Sequence, residues 1–78
     1  MPTIFRVGPY RFFFFANDRM EPIHVHVERD SFKAKFWVRP VRLAENHGFR
    51  PVELGRIRGI VEDREETIVE KWHAFFDA

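Results

Sequence analysis

The sequence predicts an α+β fold: a four- or five-stranded, mostly antiparallel sheet with one or two C-terminal helices packed on one face. Three observations carry this expectation. Residues 23–28 and 33–39 alternate apolar and polar side chains with a period of two, as half-buried strands do. Turn residues (Gly8-Pro9, Arg29-Asp30-Ser31, Pro40) separate those runs at hairpin spacing. After Pro51 the period changes: Leu54, Ile57, Ile60, Val61, Ile68, Trp72, Phe75 and Phe76 recur as on one helical face. The 78 residues fit one domain, 1–78, with the sheet over about 3–44 and the helical segment over about 51–76. A chain this short buries only ~60% of its unfolded surface. It has no cysteine to staple it, so ten Phe, two Trp and one Tyr must supply the burial.

The elements follow in order. Thr3 to Val7 reads as a first strand, and Tyr10 to Ala16, aromatic and β-prone, as a second. Asn17 to Pro22 is a polar loop, and its proline pre-sets an extended entry to a third strand over Ile23 to Glu28. Lys33 to Arg39 forms a fourth strand that Pro40 breaks. Val41 to Ala44 reads as a short edge strand or an extended arm, and Asn46-His47-Gly48 as a turn. Pro51 suits the first turn of a helix running to about Glu62. A second helix, or a kinked continuation, spans Arg64 to Phe76, with Asp63 and Glu66 at capping-box spacing.

The net charge is +1, distributed unevenly. Residues 1–60 hold eleven Lys/Arg against six Asp/Glu, and residues 61–78 hold two against six. A mildly basic sheet region permits a polyanionic partner without demanding one. The run Phe12 to Phe15, bracketed by Arg11 and Asn17, is far too short to span a membrane, and the N-terminal residues show no secretion signal. Together with the lack of cysteine, this leads to the expectation of a cytoplasmic protein. The sequence lacks a Ser-His-Asp arrangement, a phosphate-cradling glycine loop and any cysteine motif, so acyl transfer and nucleotide hydrolysis find no support.

Alternation sorts the chemistry onto faces. Ile23, Val25 and Val27 share one face of the third strand with Ala34, Phe36 and Val38 of the fourth. The opposite face collects His24, His26 and Glu28 with Lys33, Lys35, Trp37 and Arg39, beside Arg11, Phe13 and Phe15 of the second strand. His24 and His26 project the same way, ~7 Å apart along the backbone. Placed so, they suit a general base and a general acid on a phosphodiester, with Lys35 and Arg39 stabilising the transition-state charge. That reading needs neither metal nor cofactor. A metal reading is also open, with His24 and His26 as two ligands and a third from Glu28, Glu21 or a distant histidine. So is a purely structural one, in which both histidines are hydrogen-bonded sheet residues. Arg11, Phe13, Phe15 and Trp37 suit either stacking of single-stranded RNA or a protein interface, and a second core layer is the bland alternative. His47 and His73 show no pattern that points to catalysis.

The segments Pro2-Thr3-Ile4-Phe5-Arg6, Tyr10 to Phe15, Glu21 to Val27, Ala34-Lys35-Phe36-Trp37 and Trp72 to Phe76 resemble a small bacterial family catalogued as domain of unknown function 4160. The Pro-x-His-x-His block is the most specific part. Members are commonly encoded beside another small uncharacterised protein. The resemblance therefore implies a toxin-like component of a two-protein module, with a small cognate protein or a second copy as partner and RNA as target. The expected function is RNA binding or cleavage by the histidine pair, as a metal-independent endoribonuclease. The alternatives are a non-enzymatic interaction module and a divalent-metal binder.

Overall fold

The computed structural model describes residues 3–77; Pro2 of the opening motif lies outside them, as do Met1 and Ala78. Five strands, β1 (Thr3–Val7), β2 (Tyr10–Phe13), β3 (His24–Arg29), β4 (Phe32–Val38) and β5 (Val41–His47), precede two helices, α1 (Pro51–Asp63) and α2 (Glu65–Phe76). The strands form a meander in chain order, and every neighbouring pair is antiparallel. The α+β expectation therefore holds, with five strands and two helices.

The alternation read from the sequence is the alternation in space. Phe12, Val25, Val27, Phe36 and Val38 are fully or almost fully buried against Ile57, Val61, Ile68 and Trp72 of the helices. Each such side chain contributes ~1.5–3 kcal/mol relative to exposure. A polar clamp joins this layer to the sheet at its edge. Arg29 donates from Nε and from Nη2 to the two carboxylate oxygens of Glu53 on α1, the latter at 2.8 Å, and the Tyr10 hydroxyl donates to Oε2 at 2.8 Å.

Two strand ends differ from the sequence reading by more than a residue. Strand β2 ends at Phe13, not Ala16. Phe14 still drops into the core beside Trp72 and Phe76, but the Phe15 N–H leaves the ladder and donates to Asp18 Oδ2 at 2.7 Å. A side chain thus takes over what a strand partner would have done. Strand β5 runs to His47, three residues past Ala44, and a register shift between Lys35 and Phe36 accommodates it. Its exit is clamped by Asn46, which donates to the Phe49 carbonyl at 2.9 Å and accepts from the Phe49 N–H at 3.1 Å. Gly48 follows at φ 110°, where an added Cβ would sit 2.5 Å from the Phe32 ring. The helical segment breaks at Arg64 with no side-chain cap, so the Asp63/Glu66 spacing does not form a capping box.

Candidate metal centre on the outer sheet face

The face turned away from the helices is built from cross-strand rows. One row runs His24, Trp37, Arg42; the next Phe13, His26, Lys35, Glu45; the third Arg11, Glu28, Lys33, His47. The sequence reading left this face open. The structure closes much of it, because the connection from Phe14 to Ile23 folds back toward the sheet and forms a short 3-10 turn, Asp18–Met20. Phe13 and His24 are buried in consequence, and Asp18 is carried in beside the histidines.

At the centre lie His24, His26 and Asp18. Their rings and carboxylate meet closely: His24 Nε2 is 3.1 Å from Asp18 Oδ1, and His26 Nε2 is 3.1 Å from Asp18 Oδ2. One ligand atom from each residue lies within 4.8 Å of the others. The tautomer of His24 follows from its other nitrogen. Nδ1 is 2.8 Å from the Pro22 carbonyl, which only accepts, so Nδ1 carries a proton, and in the neutral ring Nε2 then presents a bare lone pair. That lone pair is buried, has no hydrogen-bond partner and faces a carboxylate oxygen. With the ring neutral, two acceptors face each other there, an arrangement that a cation between them relieves.

The surroundings hold the group in place. Phe13 stacks on His26 with ring centroids 5.4 Å apart, and Phe15 meets the same ring edge-on at 4.6 Å. Trp37 packs against His24 from β4, and Trp72 reaches it from α2 at 5.3 Å. Burial disfavours the charged imidazolium of His26 and holds its pKa below the usual value, although Asp18 opposes the shift. Lys35, buried, donates to Glu21 Oε1 at 2.6 Å, and that bond keeps the Glu21 carboxyl below its ordinary range. Glu21 itself stands 3.8 Å from His24 Nε2, a further acid beside the trio.

The residues singled out from sequence divide accordingly. His24, His26 and Lys35 are brought together, with Lys35 the cross-strand partner of His26. Arg39 is not among them; it is exposed and faces Glu65 of α2 at 3.4 Å. Arg11 pairs with Glu28 at 2.7 Å and lies over the Phe13 ring, which is too buried to stack on a base. Phe13 and Phe15 therefore form a second packed layer around the histidines in place of an open aromatic platform, with the half-buried Trp37 at its margin against His24. Of the third ligands considered from sequence, Glu28 is committed to Arg11 and Glu21 to Lys35. Asp18 was not among them. Its signal is the spacing Asp-x5-His-x-His, which gains meaning only once the loop turns back over the sheet.

Residues 10–73 match the family described as Domain of unknown function (DUF4160), and the chain belongs to that family. No curated protein and no solved structure shows a significant match. No helix among the described residues is long and apolar enough to cross a membrane.

Proposed function

We propose that this protein binds a divalent transition-metal ion through Asp18 and the Nε2 atoms of His24 and His26. One observation carries the reading: the buried, unpartnered Nε2 of His24, its tautomer fixed by the Pro22 carbonyl, is aimed at a carboxylate and a second imidazole. A histidine whose far nitrogen donates to a backbone carbonyl is the usual arrangement for a metal ligand. Bond lengths of ~2.0–2.2 Å place two donors about 3.0–3.5 Å apart, which the two 3.1 Å separations to Asp18 meet. Two imidazoles and one carboxylate, without thiolate, suit Zn²⁺ or Fe²⁺ and leave coordination positions for water or substrate. Asp18 accepts from His26 Nε2 in the metal-free protein, so loading would move that proton of the neutral ring to Nδ1 and free Nε2 as a ligand.

An acid–base ribonuclease built on the same histidines has weaker support. His24 is fully buried and already committed at Nδ1, and both Nε2 atoms are turned to the same carboxylate. The toxin-like, cytoplasmic, two-protein setting, with a small cognate protein or second copy as partner, belongs to the proposal as its biological context. It rests on the family resemblance, and the metal test does not depend on it. The test is equilibrium dialysis of chelator-treated protein against Zn²⁺ or Co²⁺, followed by metal analysis. One ion per chain is expected in the parent. His24→Ala should weaken binding at least ~100-fold, beyond the ~10–100-fold typical of losing an outer-shell partner. Equal metal content in parent and variant, or none in either, would overturn the assignment.

A further inference from the structure

The row that begins with His24 ends in a second feature of different chemistry. Pro22, Ile23, Trp37, Arg39, Pro40 and Arg42 line an open cleft of about 450 Å³ where the β4–β5 turn meets the entry to β3. That volume lies within the ~300–1,000 Å³ of small-ligand sites. Two guanidinium groups stand at its wall. Arg39 has only the exposed contact with Glu65 at 3.4 Å, a kind of pair that contributes little and gives way readily. Arg42 is exposed and has no carboxylate within ion-pair distance among the described residues. The same cleft is lined by the half-buried Trp37, cross-strand partner of Arg42, its ring held by Lys35 Nζ at 4.7 Å and by the His24 ring at 5.6 Å.

We infer that this cleft binds a nucleotide, its phosphate on Arg39 and Arg42 and its planar base against Trp37. Each component calls for one part of such a ligand. Arginine forks match phosphate oxygens, and an apolar wall of indole and proline suits a flat ring that free phosphate lacks. Of the other outer-face cations, Arg11 and Lys35 are each engaged by an acidic neighbour, and Lys33 and Arg6 are not among the residues that line the cleft. The inference rests on the cleft's own side chains and not on metal at the histidines. Its ligand has two sources with one chemistry, a free mononucleotide or one unit of single-stranded RNA.

The experiment titrates ¹⁵N-labelled, chelator-treated protein with adenosine monophosphate, adenosine, and a single-stranded RNA hexamer, following the two indole N–H signals by NMR. The Trp37 signal should shift and that of buried Trp72 should move far less. The monophosphate should bind ~10-fold or more tightly than adenosine, in keeping with a charge-assisted contact. Arg39→Ala/Arg42→Ala, confirmed as folded by circular dichroism, should erase that preference, and Arg42→Gln alone should reduce it. A hexamer that binds more tightly than the mononucleotide identifies an RNA strand as the source; equal affinities identify the free nucleotide. The inference is overturned if the phosphate brings no gain, if Trp72 responds in place of Trp37, or if the arginine variants bind as the parent does.

Discussion

The two faces of one sheet are held by different physics. The inner face is apolar and closes against α1 and α2, so each buried ring or branched chain adds stability whatever its exact partner. Much of the outer face is closed by the Phe14–Ile23 connection, and the sheltered polar groups there have particular mates: Arg11 with Glu28, Lys35 with Glu21, His26 with Asp18. His24 Nε2 breaks that pattern by remaining buried without a partner. A fold tolerates a cost of ~1–3 kcal/mol of this kind where it serves a site. The comparison assigns stability to the inner face and chemistry to the outer one.

The contrast can be broken most forcefully from the inner side. Val25→Asp buries an unpaired charge among the core chains and should cost several kcal/mol, enough to unfold a domain of this size; a urea midpoint equal to the parent's would contradict the assignment of faces. Trp72→Ala should follow at ~3–5 kcal/mol by the same measurement, since the ring packs on Phe14 and Phe76 and also backs His24.

A smaller effect sharpens the boundary between the faces. The hydrogen bond from Arg29 holds the Glu53 carboxyl below its ordinary value of 4.5, helped by that from Tyr10 and opposed by burial. A depressed folded-state pKa means that the ionised clamp contributes fully above the unfolded value and is lost as pH falls through the folded one. Urea midpoints measured from pH 7 down to pH 3 should therefore decline, and Glu53→Gln should show a shallower decline from a lower start. Parallel curves for parent and variant would remove the clamp from the account.

Much of this was legible in the sequence because period two on a strand is unambiguous. Val25 and Val27 inward, His24 and His26 outward, and Lys35 opposite His26 all follow from alternation plus one hairpin. The helix pair was legible from its apolar spacing, and the break at Arg64 falls within two residues of where the sequence placed it; the choice between two helices and one kinked helix was not legible. The closure of the outer face was hidden, because the polar loop Asn17–Pro22 shows no periodicity that says where it goes. Its course depends on Asp18 accepting the Phe15 N–H and meeting both imidazoles, and these contacts exist only in three dimensions. Hence Phe13 reads as an exposed platform in sequence and is buried in the structure.

The central claim, that the outer face is organised around a metal ion, is tested most directly by equilibrium unfolding with and without Zn²⁺. An ion that binds only the folded chain stabilises it by ~2.7 kcal/mol at one hundred times its dissociation constant. The account predicts such a gain for the parent, reversed by chelator, and none for His24→Ala at the same Zn²⁺ concentration. An equal gain in both proteins, or no gain in the parent, would contradict it.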